Sequence, residues 1–280
     1  MRLFGLQLQW EIRKLLARPQ TWLGFGLALV FELIVSCLLR IPSVRAAFAE
    51  RLWGLHIHLA DVATGLTSGT HLMGETAASI GTLALALVGG DIIAGEVRPG
   101  TLRMIFCHPV SRARVWTLKL LTCFFYAALL SVFIGLSALA VGLAFEGAGP
   151  LYMTATHESI VGQFSFPEGL QRYALSMLFL AVSSSFGIVL AFFFSCFRIS
   201  PAVATALALT VFFADDIIRV RPEFSSLSPY CLSTRLLTWR QVFNNDIPWL
   251  RMRRNYIALC RTDAALLAGG WLAFRRRDIQ

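Results

Sequence analysis

The sequence predicts an all-α polytopic membrane protein with six transmembrane helices, preceded by an N-terminal interfacial helix. Hydrophobic residues make up 56% of the 280-residue chain, and its mean hydropathy is +0.66. Only 15% of the residues are charged, compared with about 25% in average proteins. The apolar residues also fall into blocks of spanning length. These observations exclude a soluble globular protein and define a single transmembrane domain over residues 1–280.

The interfacial helix is expected at residues 1–19, because apolar side chains recur there on one helix face. These side chains are Phe4, Leu8, Ile12 and Leu15. The six spans are expected at residues 21–39, 77–93, 115–145, 173–197, 200–218 and 256–274. Residues 219–255 are expected to form an outer amphipathic segment in the membrane interface, because seven arginines accompany an apolar stripe. The stripe consists of Leu232, Leu236, Trp239 and Phe243.

The net charge of +9 comes almost wholly from arginine, since Lys14 and Lys119 are the only lysines. Nucleic-acid binding is one explanation of a basic chain, but here the basic residues bracket apolar blocks, as the positive-inside rule expects. They divide almost evenly between the two sides of the membrane. The short loops favour placing the connection between spans 2 and 3 inside, because long loops contribute little to that rule.

The connection between spans 2 and 3 is the most informative part of the sequence. Pro99 has no backbone N–H and suits a first helical turn. Pro109 closes the run, and Ser111 can cap the following helix. The apolar residues between the prolines recur at helical i, i+3 and i+4 spacing: Leu102, Ile105 and Phe106. The pattern predicts a short amphipathic helix over residues 97–108, which is typical of a docking element.

This connection resembles the signature of ABC type-2 exporter permeases. In that family an acidic residue ends the second span, Gly-Glu and then Gly-Thr-Leu follow, and Pro-x-Ser-Arg precedes a lysine inside the third span. The matching positions are Asp91, Gly95, Glu96, Gly100, Thr101, Leu102, Pro109, Ser111, Arg112 and Lys119. Residues 11–22 and 274–279 also agree with the family. The resemblance implies that residues 97–108 form the cytoplasmic coupling helix, which docks on a separate ATP-binding cassette subunit.

The resemblance further implies the transmembrane permease subunit of an ATP-driven ABC exporter, which is not itself an enzyme. ATP and Mg²⁺ would be bound by the partner subunit, with no cofactor, metal or nucleic acid bound by this chain. The permease would form a homodimer, or a heterodimer with a related permease, among the lipids of a bacterial inner membrane, with both termini cytoplasmic. A P-loop needs Gly-Lys before Ser or Thr, whereas Lys14 follows Arg13 and Lys119 follows Leu118. The sequence therefore contains no P-loop, and any ATP that drives the protein must be bound by another chain.

The residues expected to couple to the ATPase subunit follow from the same match. They are Glu96, Gly100, Thr101, Leu102, Arg103, Ile105, Phe106, Pro109, Ser111 and Arg112. Glu96 directly follows the second span and is expected to pair with Arg103, Arg112 or Arg114.

Three further residues are candidates for intramembrane function: Glu32, Asp91 and Lys119. Asp91 lies toward the C-terminal end of its helix, where the helix dipole disfavours an acid, so we expect Arg112 or Lys119 as its partner. Glu32 lies in the middle of span 1, where an ionisable group is costly and functional by default. The alternative for Glu32 is a buried structural acid, which could be protonated and is paired with a serine or arginine of a neighbouring helix.

Two other classes of function stay open: a stand-alone membrane enzyme and a membrane anchor or sensor. An enzyme could use Glu32, the Asp215–Asp216 pair or outer histidines, and an intramembrane aspartyl protease would need two facing aspartates. A weak metal constellation comprises His56, His58, His71 and Glu75. The six cysteines have no CxxC spacing, and Cys231–Cys260 is the one conceivable bridge. Neither alternative class explains the motif between spans 2 and 3.

Overall fold

A computed structural model describes residues 2–53, 63–97, 104, 107, 110–155, 160–224 and 226–276 of the chain. Within these residues, six helices are long and apolar enough to cross a membrane. They are span 1 (Pro19–Leu38), span 2 (Gly65–Val97), span 3 (Arg112–Glu146), span 4 (Phe166–Ser195), span 5 (Pro201–Val220) and span 6 (Trp249–Arg275). The predicted fold class, an all-α polytopic membrane protein, is confirmed.

The helices in chain order are α1 (Arg2–Leu16), α2 (Pro19–Leu38), α3 (Pro42–Trp53), α4 (Gly65–Thr76), α5 (Thr82–Val97), α6 (Arg112–Glu146), α7 (Phe166–Ser195), α8 (Pro201–Val220), α9 (Leu232–Leu236) and α10 (Trp249–Arg275). A π-turn, Ala77–Gly81, joins α4 and α5 into span 2. Span 2 begins at Gly65 rather than at residue 77. Polar residues that lower the hydropathy of this part, such as Thr67 and Thr70, are buried among the helices.

Spans 2, 3 and 4 form the centre of the bundle. In the most apolar part of each helix, 56% of the residues of span 2 and 50% of those of span 4 are buried, compared with only 17% in span 5. The core between them contains large fully buried side chains, among them Tyr126, Leu130 and Phe192. Spans 1 and 5 expose long apolar faces on the surface of the bundle, as expected of helices that contact lipid or another membrane protein.

The backbones of α4 and α6 cross without side chains between them. A Cβ added at Gly142 would overlap the carbonyl oxygen of Gly65 and would lie 2.8 Å from the backbone nitrogen of Gly69. Only hydrogen atoms fit in such a contact, which is the usual way in which membrane helices approach closely. The first half of span 2 is therefore held tightly against the second half of span 3.

One end of the bundle carries a small folded cap, which we call the hairpin end. Strands β1 (Leu151–Ala155) and β2 (Ile160–Phe164) pair antiparallel, with Leu151 opposite Phe164. The hydroxyl of Thr64 donates to the Pro150 carbonyl at 2.6 Å, and that of Thr67 accepts from Tyr152 N at 3.0 Å. The hairpin is thus fastened to the start of span 2. No strand was expected here, because five-residue strands are too short to stand out beside long apolar helices.

The segment between spans 5 and 6 also folds onto the hairpin end. It consists of α9 and three 3-10 turns, Pro222–Phe224, Ser228–Tyr230 and Leu237–Phe243. Trp239 and Phe243, from the stripe expected to lie in the membrane interface, are 2% and 0% exposed. The stripe therefore turns toward the protein, where the 3-10 turn packs against α7 and β2. A sequence stripe has the same pattern whether it faces lipid or a protein core.

Candidate functional site

At the other end of the bundle, six charged side chains from α1, the turn before span 1, span 2 and span 3 form an ion-pair cluster. Its members are Glu11, Lys14, Arg18, Asp91, Glu96 and Lys119. Three are acidic and three are basic, so the cluster is neutral as a whole. Charges withdrawn from water are tolerated when each has an opposite charge close by, and the pairing here meets that condition.

Glu96 is the centre of the cluster. Its Oε1 lies 2.6 Å from Lys14 Nζ and 3.4 Å from an Arg18 guanidinium nitrogen, and its Oε2 lies 2.6 Å from Lys119 Nζ. The side chain of Glu96 is 3% exposed and that of Lys119 is 0% exposed. Lys119 also lies 3.4 Å from Glu11 Oε2. One buried carboxylate thus ties the end of span 2 to α1 and to span 3.

Asp91 is a second carboxylate of the cluster, and it is bonded to the start of span 1. Asp91 Oδ2 accepts from Arg18 at 2.5 Å and from the side-chain amide of Gln20 at 2.9 Å. Arg18 is the residue before α2, and Gln20 is in its first turn. The start of span 1 is therefore bonded to the last two turns of span 2.

The turn between α1 and α2 puts these basic residues in place. Pro19 begins α2, as its fixed φ and missing N–H allow. Thr21 Oγ1 donates to the Leu15 carbonyl at 2.6 Å, and Trp22 Nε1 donates to the Leu16 carbonyl at 2.7 Å. These bonds satisfy carbonyls at the end of α1 and fix the angle between the two helices. As a result α1 lies against α6 with Lys14 facing Glu96.

The predicted coupling residues fall into two groups. Gly100, Thr101, Leu102, Arg103, Ile105, Phe106 and Pro109 lie outside the described residues, as does most of the predicted 97–108 helix. Ser111 accepts from Arg114 N at 3.3 Å and is the N-cap of α6. Arg112 donates to the Arg275 carbonyl at 2.9 Å. The chain therefore enters span 3 beside the end of span 6.

The partners expected for Glu96 and Asp91 differ from those observed. Glu96 was expected to pair with Arg103, Arg112 or Arg114, and Asp91 with Arg112 or Lys119. In the described part of the chain Glu96 pairs with Lys14, Arg18 and Lys119, and Asp91 pairs with Arg18. The expectation relied on sequence proximity, whereas α1 folds back onto the bundle.

Glu11, Lys14 and Arg18 were not singled out as site residues. One available signal was their i, i+3 and i+7 spacing, which would place all three near one side of the helix predicted over residues 1–19. The other was their position in the stretch 11–22 that resembles the exporter permeases. Neither signal identifies the acids with which the two basic residues pair, because these are more than seventy residues away along the chain.

Glu32 does not belong to the cluster. It lies midway along span 1, is 0% exposed, and neither carboxylate oxygen makes a hydrogen bond within the described residues. The hydroxyls of Thr76 and Ser137 are the side-chain groups that interact with it. Glu32 is therefore a buried acid without an ionic partner among the described residues. Both sequence-based hypotheses stay open: a structural acid, or a functional one.

The geometry gives no support to the alternative enzyme sites. Asp215 accepts backbone hydrogen bonds from Leu232 and Ser233, and Asp216 pairs with Arg219. Both are at the hairpin end, far from Asp91, so these aspartates do not face each other. Among the described residues no group of three His, Cys, Asp or Glu could hold a metal ion; His56 and His58 lie outside them. All six cysteines are free, so the conceivable Cys231–Cys260 bridge is not formed.

Six apolar spans, with an ion-pair cluster at one end of the bundle, define an integral, multi-pass membrane protein. The sequence model of the ABC-2 family transporter proteins matches residues 7–215. The chain therefore belongs to the ABC-2 transporter family and is an ABC transporter permease, which confirms the resemblance found in the sequence. A comparison with curated proteins finds no match. The matched region includes the whole ion-pair cluster and ends within span 5.

Proposed function

We propose that this chain is the membrane subunit of an ATP-driven exporter, and that a separate ATP-binding cassette subunit docks on the 97–108 segment. The observation that supports this most directly is the burial of Glu96 next to that segment, with partners on α1 and span 3. A force applied to the segment would reach both elements at once, because buried ion pairs resist separation. ATP and Mg²⁺ would be held by the partner subunit.

In this mechanism the ion-pair cluster is a mechanical joint. Closure of two ATP-binding subunits would push on the two docking segments of a permease dimer, with either two copies of this chain or a related second permease. Through Glu96 the push would move the ends of spans 2 and 3 together with α1. The spans would rock as rigid bodies and open a path to the outside. The cluster end would then be cytoplasmic, together with both termini.

The first experiment is a pull-down of the tagged chain from its native membrane in mild detergent, followed by mass spectrometry. The proposal expects a stoichiometric soluble partner that contains a GxxxxGK[ST] motif. Arg103→Glu should abolish its recovery, because the variant reverses a charge on the docking segment. Arg253→Glu is the matched control, since Arg253 is an exposed arginine at the start of span 6, on the hairpin end. Equal recovery with both variants would contradict docking at residues 97–108.

A second experiment separates docking from transmission. In the complex reconstituted with its partner, Glu96→Ala should leave the partner bound but remove the dependence of ATP hydrolysis on the permease. The expected reason is that Lys14 and Lys119 lose the carboxylate that connects them. Glu223→Ala is the control, because Glu223 is exposed at the hairpin end. If hydrolysis in the Glu96→Ala complex matches that of the wild type, the cluster does not transmit force.

A further inference from the structure

Glu32 is a buried acid that the proposed coupling mechanism does not use. It lies on the face of α2 that turns into the bundle and is 0% exposed. Both of its carboxylate oxygens lack hydrogen-bond partners in the described part of the chain. An ionised carboxylate in an apolar interior is strongly disfavoured unless a positive charge compensates it.

The described protein supplies no such positive charge. On the helices that contact α2, the charged residues with described side chains take part in the ion-pair cluster, lie near the helix ends or are exposed on the outside: Glu11, Arg13, Lys14, His71, Glu75, Asp91, Glu96, Arg112, Arg114, Lys119 and Glu146. Arg240, on the Leu237–Phe243 turn, lies 3.9 Å from the carboxylate of Glu75. Lys119 is eighteen residues from Ser137 along α6, which corresponds to about 27 Å. Tyr173 of α7 is the titratable group that faces Glu32 from another element, and a phenol is neutral at physiological pH.

The polar groups beside Glu32 in the described part of the chain are the hydroxyls of Thr76, Ser137 and Tyr173. Ser137 donates its hydrogen to the Ile134 carbonyl at 3.3 Å, and Tyr173 donates to the Gly135 carbonyl at 2.6 Å. Both hydrogens are therefore committed to backbone carbonyls, which leaves oxygen lone pairs free. Thr76 Oγ1 has no hydrogen-bond partner in the described residues. A carboxylate with hydroxyl oxygens as neighbours is a hard-oxygen donor set.

The backbone at this point is also irregular. Thr76 is the last residue of α4 and directly precedes the π-turn Ala77–Gly81, which contacts both α2 and α6. Single π-turns inside α-helices occur frequently at functional sites, because one extra residue in the turn displaces the usual backbone bonds. The Ala77 carbonyl accepts both the backbone N–H of Thr82 and its Oγ1 hydroxyl, the latter at 3.3 Å.

We propose that Glu32, Thr76 and Ser137 bind a monovalent cation, either a proton or an alkali metal ion, between span 1 and the π-turn of span 2. The cation neutralises the carboxylate and shares the lone pairs of the hydroxyl oxygens. The site is independent of the ATP-driven coupling proposed above, which acts through Glu96 at one end of the bundle. It gives the permease a binding site for an ion within the membrane.

The test uses the purified full-length permease in detergent, with two measurements. Infrared difference spectra between the wild type and Glu32→Gln report whether the carboxyl of residue 32 is protonated or ionised at each pH. Melting curves in NaCl, LiCl and choline chloride report whether an alkali ion stabilises the fold. A bound ion raises the melting temperature by mass action, and we expect a rise of at least about 2 °C at saturating ion.

Each outcome is decisive. A protonated carboxyl at neutral pH identifies the cation as a proton. An ionised carboxylate, with stabilisation by sodium or lithium but not by choline that Glu32→Gln abolishes, identifies an alkali ion. An ionised carboxylate with no specific salt effect overturns the proposal. Glu223→Gln is the control, since Glu223 is exposed. If Glu32→Gln does not fold, the double variant Thr76→Val/Ser137→Ala retains the carboxyl and should lose the same stabilisation.

Discussion

Glu96 and Lys119 form a buried ion pair across spans 2 and 3, with 2.6 Å between Oε2 and Nζ. Each has a second partner on α1: Lys14 for Glu96 and Glu11 for Lys119. The four side chains alternate in sign, so each charge is flanked by opposite ones. The buried charges of spans 2 and 3 near residue 96 are therefore compensated partly by α1, which is not itself one of the six spans.

Removing the lysine from this pair should be costly. Lys119→Met leaves Glu96 buried beside one lysine fewer and leaves Glu11 unpaired, so we expect a loss of about 3 kcal/mol in the free energy of unfolding. Lys14→Met should cost less than about 1 kcal/mol, because the Lys14 side chain is 36% exposed. Thermal melts of the detergent-solubilised permease compare the two variants.

The double variant Glu96→Gln/Lys119→Met provides the internal control for this pair. If the two residues interact directly, the double variant should be more stable than the sum of the single variants predicts, by about 1–3 kcal/mol. Strict additivity of the two single effects would show that the pair contributes no coupling energy.

The crossing of α4 and α6 should not tolerate a methyl group. Gly142→Ala places a Cβ against the backbone of Gly65 and Gly69, and such overpacking costs about 2–3 kcal/mol. Gly26→Ala is the matched control, because no atom lies within 4 Å of the Cβ that it adds on the outer face of span 1. Melting temperatures that fall equally in both variants would refute close packing as the cause.

Asp215 should hold the segment between spans 5 and 6 in place. It accepts from Leu232 N at 2.9 Å and from Ser233 N at 2.6 Å, and thus caps α9 from a different helix. Asp215→Ala should destabilise this segment by about 1 kcal/mol. The readout is faster amide hydrogen exchange over residues 226–243, with global melting little changed. Asp216→Ala is the control, because its 51% exposed side chain pairs only with Arg219 in the described residues, and exchange should stay as in the wild type.

Arg172 should be irreplaceable by lysine. Its guanidinium donates to the carbonyls of Val242, Asn244 and Asn245 and stacks 4.0 Å from the Phe164 ring centre. Lysine lacks the planar fork and would leave some of these carbonyls without a donor, including the partly buried ones of Val242 and Asn244. We expect Arg172→Lys to lower the unfolding free energy by about 2 kcal/mol. The exposed Arg251→Lys control should have no effect; a stable Arg172→Lys variant would show that charge alone suffices.

The sequence was sufficient for the six spans, since blocks such as residues 115–145 contain one charged residue in some thirty and permit no other fold. The Ser111 cap was also readable, because capping depends on neighbouring residues only. The start of span 2 was not predictable from hydropathy. Thr67 and Thr70 lower the hydropathy of this stretch, yet their hydroxyls form hydrogen bonds within the protein, so the helix can extend through them.

The candidate site was half predictable. Glu96 and Lys119 were identified by their motif, but their further partners, Lys14 and Glu11, lie on α1. A sequence pattern does not show against which helices α1 folds back. The same limit explains the stripe around Trp239, which is buried under the hairpin end. Glu32 was identified because an ionisable residue inside a span is conspicuous in any sequence. That it has no ionic partner among the residues that the structure describes depends on helix packing, which the sequence does not show.

Span 3 has 35 residues, or about 52 Å of helix, whereas the hydrocarbon core is about 30 Å thick. Part of it therefore extends beyond the hydrocarbon. At this end the hairpin packs against spans 2 and 4, and the Leu237–Phe243 turn packs against span 4. A 31.0 kDa membrane protein usually offers electron microscopy no feature outside its micelle. Here an antibody fragment that binds the folded hairpin end, which contacts spans 2 and 4, would serve as an alignment marker.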